Sequence, residues 1–321
     1  MILGARKDED VIGVSGRTVW YTSTELEHWT FEGDFWAPDL YTMHEMPDLF
    51  RMGDDRWYLL TTEYSDRSKT VYRSSESLAG PWTSPVDDAF DGRAYYAARS
   101  AADHNHRYLF GWVPTKQGDT DLGAWQWGGT LVVHEVYQRL DRSLGVRIPG
   151  TVRAALPTAA PTMTEPRSLS AADGQASIVV ADLPADQLFL VTLQLTAHAR
   201  SFAIRLFEND LGTAYAFTVR GGEQRIDFDK IPNYPWFRYE NYPWFRYENK
   251  GLERPFAFEP GRTYDVEIVV DDTIATLYVD GVALNARMYD KPGNRLAIGL
   301  IDGSLTVHRA GVAGYQAPAS R

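Results

Sequence analysis

The stretch HEMPDLF, His44–Phe50, contains a glutamate in a setting that could support acid–base chemistry. A carboxyl group beside apolar residues can have its pKa raised until it donates a proton near neutral pH. Such chemistry commonly uses a second carboxylate nearby, so Glu45 needs a partner. Taken alone, a glutamate at the start of a strand is more typical of a solvated or hydrogen-bonded surface group.

The residues that follow Glu45 predict how it is positioned. Pro47 has no backbone donor, which favours an edge strand. Because side chains alternate along a strand, Glu45, Pro47 and Leu49 are predicted to share one side. Met46, Asp48 and Phe50 would share the other side, so Asp48 is predicted to be a poor partner for Glu45.

Other kinds of chemistry find little support in the sequence. His104 and His106 in DHNHR have the spacing of a metal pair on a strand, but a solvated hairpin turn explains them better because no acidic or cysteine cluster joins them. The 321 residues contain no cysteine, no Gly-x-Ser-x-Gly motif and no phosphate-binding glycine loop. We therefore predict neither a metal nor a cofactor.

Charge and hydropathy exclude two classes of partner. Acidic residues outnumber basic ones, 43 to 32, and the formal net charge of -11 argues against nucleic-acid binding. The apolar runs are too short to span a bilayer, so no membrane partner is predicted. The N-terminus MILGARKDED lacks the apolar core and cleavage site of a signal peptide, which predicts a cytoplasmic protein for the sequence as written.

Short aromatic and β-branched runs, separated by turn residues, predict antiparallel β structure along most of the chain. The clearest strands are Arg56–Thr62, Arg107–Trp112, Thr130–Val136 and Tyr264–Val270. TVWYTSTELEHW, Thr18–Trp29, is echoed by TVYRSSESLAGPW, Thr70–Trp82. Repetition after about fifty residues in such a sequence suggests the blades of a β-propeller.

A change in composition divides the chain. TVRAALPTAAPTMTEP, Thr151–Pro166, is rich in Ala, Thr and Pro and predicts an interdomain connection. We predict a propeller domain at residues 1–155, a linker at 156–166 and a β-sandwich domain at 167–321. The sandwich prediction rests on the alternation of Tyr264–Val270 and on Asp280-Gly281, a strong hairpin-turn signal.

The octapeptide NYPWFRYE occurs twice in succession, at Asn233–Glu240 and Asn241–Glu248. Its aromatic residues could form a sugar-stacking loop. The favoured interpretation is instead a tandem duplication that is tolerated in a surface loop.

Several motifs, taken in order, resemble glycoside hydrolase family 32, the invertases, levanases and inulinases that cleave β-fructofuranosides. HEMPDLFRMGDDRWYLL is similar to the family's Glu-Cys-Pro-Asp-Phe-type signature, and FWAPDLY resembles the loop entering it. Downstream, FDGRAYYAARS resembles an Asp-x-Gly-x-x-Tyr-Ala segment, RYLFGW the strand after it, and WQWGGTLVVHEV a Trp-Gly-Gly segment. The resemblance covers nearly all of residues 1–150 and implies a five-bladed-type propeller followed by a sandwich.

The resemblance implies that Glu45 is the general acid/base of a retaining glycosidase. The family's nucleophile is an aspartate in a Trp-x-Asn-Asp-Pro-Asn-Gly motif, and a further Arg-Asp-Pro element holds the sugar. Both motifs are absent from the 321 residues. We therefore expect a partial propeller whose first blade is missing, with little or no activity on its own and with self-association through the incomplete edge.

The resemblance carries over to further residues. It implies that Asp91, Tyr95, Trp127 and Trp36 bind substrate by hydrogen bonding or stacking; a turn at Asp91 and core packing of the aromatic rings are open alternatives. Met46 stands where the family often has cysteine, a difference that is expected to tune the acid/base without abolishing the chemistry.

The sequence thus predicts a fructosidase-type hydrolase acting on sucrose or fructans. Two alternatives stay open: a non-catalytic fructan-binding or scaffold protein, and a furanosidase of the neighbouring arabinan-cleaving family.

Overall fold

The computed structural model is almost entirely β, as predicted. It describes residues 1–7, 15–53, 55–64, 68–156, 161–163, 165–184, 188–232 and 252–315. Within these ranges, helix is confined to α1 (Gly150–Ala155) and two short 3₁₀ turns. None of the described helices has the length and apolar character needed to cross a membrane.

The chain forms two compact units. The first comprises residues 1–112 and 130–146, and the second comprises 113–129 and 147–321. The domain limits derived above from composition stay a prediction.

Three small antiparallel sheets are built from the first ten strands. Their orders are β1-β2-β3, β4-β5-β6 and β7-β8-β9-β10. The strands are β1 (Ile2–Arg6), β2 (Gly16–Thr22), β3 (Thr30–Trp36), β4 (Met43–Met52), β5 (Arg56–Tyr64), β6 (Thr70–Ser75), β7 (Tyr96–Ala102), β8 (Arg107–Lys116), β9 (Trp125–Gln138) and β10 (Leu144–Arg147). Small separate sheets of this kind are the layout expected of propeller blades. The number of blades stays a prediction.

The strands predicted in this part of the chain are confirmed. Arg56–Thr62 lies within β5, Arg107–Trp112 within β8 and Thr130–Val136 within β9. His104 and His106 lie in the turn between β7 and β8, where Asp103 accepts hydrogen bonds from the backbone N–H groups of Asn105 and His106. The core of the first unit consists largely of aromatic and aliphatic side chains, among them Tyr58, Leu60, Tyr72, Phe90 and Leu109.

Strand β4, which carries Glu45, is an edge strand, as Pro47 predicted. It lies against both β1 and β7. The approach of β1 is so close that a Cβ placed on Gly4 would stand 1.7 Å from the carbonyl oxygen of His44. Gly4 is therefore required at the contact that supports the strand at Glu45.

Gly4→Ala is expected to destabilise the protein by about 1–3 kcal/mol, because β1 and β4 must separate to admit the methyl group. Urea unfolding measures this change. Gly222→Ala is the matched control, since a Cβ at Gly222 would meet no atom within 4 Å. Equal stability of the two variants would contradict the close contact.

The second unit is dominated by three long strands. They are β12 (Arg167–Asp182), β13 (Leu188–Glu208) and β20 (Arg295–Gly314), with β20 paired to both of the others. The short β11 (Pro161–Met163) also pairs with β20. On its other edge β13 pairs first with β17 and then with β14, so the sheet divides into two arms.

The two arms contain three strands each. One is β17 (Thr263–Asp271), β18 (Ile274–Val279) and β19 (Val282–Arg287); the other is β14 (Ala214–Arg220), β15 (Arg225–Ile231) and β16 (Glu253–Pro255). Arg254 on β16 donates a hydrogen bond to the carbonyl of Ala283 on β19 at 2.9 Å, which joins the arms. Their apolar side chains, including Phe217, Phe228 and Ile268, are buried.

The hairpin and alternation predicted for this unit are confirmed. Asp280 and Gly281 have φ values of 48° and 75° and form the two-residue turn between β18 and β19. Tyr264, Val266, Ile268 and Val270 are buried, whereas Asp265 is exposed. The repeated NYPWFRYE lies outside the described residues, so its role stays a prediction.

Candidate active site

Glu45 lies on β4, is partly exposed and stands opposite Thr62 of β5. Its Oε2 accepts a hydrogen bond from the hydroxyl of Tyr96, a buried residue at the start of β7. The candidate acid/base is therefore hydrogen-bonded to a phenol. This contact joins residues 51 positions apart and was not predicted from the sequence.

The alternation predicted around Glu45 is wrong, because β4 contains a bulge there. Glu45 pairs with Thr62 and Asp48 pairs with Leu60, so three steps on β4 match two on β5. Met46 inside the bulge has φ of 51°, an uncommon value for a residue with a side chain. The extra residue restores Asp48 to the side of the strand on which Glu45 lies.

Asp48 nevertheless has other partners. Its Oδ2 accepts hydrogen bonds from the backbone N–H of Ser100 at 2.8 Å and from the Ser100 hydroxyl at 2.5 Å. The prediction that Asp48 is a poor partner for Glu45 agrees with these contacts, although the reason given for it does not hold.

Tyr96 is held in its protonated form. Burial, followed by the hydrogen bond and charge of Glu45, raises the pKa of Tyr96 far above its usual range. The phenol therefore keeps its proton at physiological pH. It donates a hydrogen bond to the carboxylate, which can only accept one. This hydrogen bond restrains the rotamer of Glu45.

A stacked aromatic pair supports the residue before Glu45. The ring of Trp36, the last residue of β3, stacks on His44 at a centroid distance of 4.9 Å. The guanidinium of Arg73 lies 5.7 Å from the Trp36 centroid and is itself bound to Asp88 at 2.6 Å and to the hydroxyl of Tyr41 at 3.1 Å. Trp36 thus contacts the residue next to Glu45 on β4, and it does so through His44.

His44 is fully buried and neutral. Burial, and then the positive charges of Arg73 and Arg17, lower the pKa of His44 to about 4, against a smaller opposing effect of the Leu40 carbonyl. Its Nδ1 lies 3.2 Å from the hydroxyl of Thr18. A charge at this position would be buried beside two arginines, which is why the neutral imidazole is favoured.

We expect the free energy of unfolding to fall as the pH is lowered from 6.5 towards 4, partly through His44. In that window the unfolded chain binds a proton at this histidine and the folded chain does not, so acid favours unfolding. The pKa difference corresponds to at most about 3 kcal/mol. Urea unfolding at pH 7 and pH 4.5 should show a smaller loss for His44→Gln than for wild type.

His104→Gln is the control for this experiment, because His104 is exposed. An equal acid-induced loss of stability in wild type and His44→Gln would contradict the buried neutral imidazole.

Asp91 and Tyr95 lie together beneath the surface, with exposed fractions of 2% and 1%. Oδ2 of Asp91 lies 3.0 Å from Nε2 of His134, and both side chains are fully buried. The Tyr95 ring lies 4.7 Å from the ring of His134, and its hydroxyl donates to the carbonyl of Leu109 at 3.0 Å. Substrate binding by Asp91 and Tyr95 stays a prediction that this burial does not favour.

Trp127 belongs to the second unit and is 77% exposed on β9. Exposure of this kind is compatible with stacking on a sugar, which stays a prediction. Met46 is also exposed, on the bulge next to Glu45.

A family model and a curated relative each match less than half of the chain. Residues 1–136 match the model of the glycosyl hydrolases family 32 N-terminal domain. The raffinose invertase of Escherichia coli is 28% identical over 155 residues, which cover 43% of this chain and 32% of that protein.

Solved structures share the fold over most of the chain. The exo-inulinase of Aspergillus awamori aligns with a TM-score of 0.67 and 16% identity, over 94% of this chain and 62% of that one. The sucrose-6-phosphate hydrolase of Lactobacillus gasseri aligns with a TM-score of 0.66 and 16% identity, over 98% of this chain and 63% of that one. This chain therefore spans less than two thirds of either protein.

The described residues form an almost entirely β fold, which the solved fructosidase-type structures share. Residues 1–136 carry the match to glycoside hydrolase family 32, which is the family that the ordered motifs resemble.

Proposed function

We propose that this chain carries the acid/base part of a β-fructofuranosidase active site. The observation that carries the proposal is the partly exposed carboxylate of Glu45, oriented by Tyr96 inside the region that matches the family. Glycosidases of this kind need a carboxyl group that first protonates the leaving oxygen and then activates water.

In the proposed mechanism, Tyr96 holds Glu45 in place during both steps. The phenol remains neutral, so it stays a hydrogen-bond donor whenever Glu45 is ionised. A retaining reaction also needs a carboxylate nucleophile about 5 Å from the acid/base. The family motif for that nucleophile has no counterpart in the 321 residues, and we propose that a segment outside them supplies it.

The proposed substrates are sucrose or fructans. Support comes from the names of the similar proteins, which include an invertase, an exo-inulinase and the fructosyltransferase of A. japonicus. The last of these leaves transfer to a sugar open beside hydrolysis. We propose that Trp36 supports β4 through its stacking on His44. Substrate binding by Trp36 and sugar stacking by Trp127 stay predictions.

A non-catalytic fructan-binding protein is the second candidate. It is favoured by one observation, namely that the Asn-Asp-Pro-Asn-Gly and Arg-Asp-Pro motifs are absent from the sequence. Self-association through an open sheet edge also stays a prediction, which analytical ultracentrifugation measures.

Fructose release separates these candidates. The 321-residue chain and a form extended upstream, each with and without Glu45→Gln, are assayed on sucrose, levan and inulin. Activity in the extended form that Glu45→Gln removes supports the enzyme. Fructan binding without release in either form supports the binding protein.

A further inference from the structure

The two strands that bring Glu45 and Tyr96 together are each interrupted by a bulge. In β4 the register shifts between Glu45 and Asp48, and in β7 it shifts between Tyr96 and Arg99. In both strands the residue after the bonded side chain has positive φ, 51° at Met46 and 53° at Ala97. Non-glycine residues adopt this conformation at a cost of about 1 kcal/mol or more, and such strain concentrates at functional sites.

Beyond the bulges a second set of hydrogen bonds joins the same two strands. Asp48 on β4 accepts two hydrogen bonds from Ser100 on β7, at 2.8 Å from the backbone N–H and 2.5 Å from the hydroxyl. Arg107 on β8 donates to the Ser100 hydroxyl at 2.7 Å, and its guanidinium lies 3.9 Å from the ring centroid of Phe50. Asp48, Ser100 and Arg107 form what we name the inter-strand clamp.

The clamp connects strands that have no shared ladder. β4 belongs to one sheet and β7 to another, so their relative position is not set by backbone pairing. Hydrogen bonds to a charged group are the stronger kind, and Asp48 receives two from one residue. A slide of β7 along β4 would break these bonds and would also separate Tyr96 from Glu45.

We propose that Asp48, Ser100 and Arg107 are positioning residues for Glu45. The clamp fixes the two bulged strands against each other, and the bulges then direct the Tyr96 hydroxyl at the carboxylate. This inference rests on the proposed function of Glu45, but its geometric part can be tested without catalysis.

The test follows Tyr96 by NMR in the 321-residue chain labelled with ¹³C at tyrosine Cζ. Tyr96→Phe identifies the signal by its loss. A pH titration should show a step in the chemical shift as Glu45 takes up a proton, and Glu45→Gln should remove that step. In Ser100→Ala the step in the Tyr96 signal should become clearly smaller, because the Tyr96 hydroxyl then lies farther from the carboxylate.

Two comparisons make the result specific to the clamp. Ser100→Thr keeps the hydroxyl and should restore the wild-type step. Ser168→Ala, which removes a hydroxyl 2.9 Å from Thr306 in the second unit, should leave the step unchanged. Asp48→Asn keeps the size of the side chain and should displace the Tyr96 signal even if Ser100→Ala does not fold.

A lower melting temperature with an unchanged Tyr96 step in Ser100→Ala and Asp48→Asn would overturn the inference, since the clamp would then be structural only. Failure of the proposed function gives a different result: full fructoside hydrolysis by Glu45→Gln. That result would remove the catalytic role of Glu45, whatever the NMR titration shows.

Discussion

Glu45→Gln is expected to lower kcat for sucrose by about 10²–10⁴-fold in a form of the protein that hydrolyses it. Glutamine keeps the size of the side chain and can still accept the hydrogen bond from Tyr96, but it cannot transfer a proton. The fall in kcat/KM should be much smaller for a fructoside with a nitrophenolate leaving group, which departs without protonation, whereas kcat should fall on both substrates because the second step still needs the base. Steady-state kinetics with both substrates measure the difference.

Glu25→Gln is the matched control, because Glu25 is an exposed residue whose carboxylate binds the backbone N–H of His28. An equal loss of kcat/KM on both substrates would contradict proton donation by Glu45, and so would an equal loss in the Glu25 variant.

Asp91→Ala is expected to destabilise the protein by about 3–5 kcal/mol. Asp91 and His134 are both fully buried at 3.0 Å from each other, so removing the carboxylate deprives a buried imidazole of a strong partner. Urea unfolding measures the change. In a double-mutant cycle with His134→Ala, the double variant should lose much less stability than the sum of the losses in the two single variants.

The same variant tests the predicted substrate-binding role of Asp91. A residue that holds sugar hydroxyls would raise KM when replaced and leave the unfolding free energy nearly unchanged. The exposed Asp265, which accepts a hydrogen bond from Gln194 at 2.9 Å, provides the control Asp265→Ala. If Asp91→Ala were as stable as that control, the buried pair would have no structural role.

Local patterns were sufficient to predict the four strands named from the sequence. The edge position of β4 followed from Pro47, and the hairpin at Asp280-Gly281 followed from the backbone preference of its two residues. In the second unit, alternation located the buried face of β17 because that strand has no register shift in its pairing with β18. These features depend on neighbouring residues and can be read from short segments.

The site was predicted less completely, because its geometry depends on bulges and on contacts distant in sequence. The bulge at Met46 reverses the alternation on which the sides of β4 were assigned. The Tyr-Ala resemblance pointed to Tyr95, whereas the neighbouring Tyr96 contacts Glu45. The available signal was the second tyrosine itself, which directly follows the one that the motif selected.

Pairs such as Asp91 with His134 leave no local signature, since 43 positions separate them. A histidine within the apolar run VVHEV was the available hint, because a buried imidazole needs a polar partner.

The most direct test of the central claim is sugar release by the longest natural form of this chain. Sucrose, levan, inulin and an arabinofuranoside are supplied in parallel, beside Glu45→Gln. A β-fructofuranosidase releases fructose, with little arabinose, and loses this activity in the variant. Release of arabinose instead of fructose, or fructose release that is independent of Glu45, would contradict the proposed function.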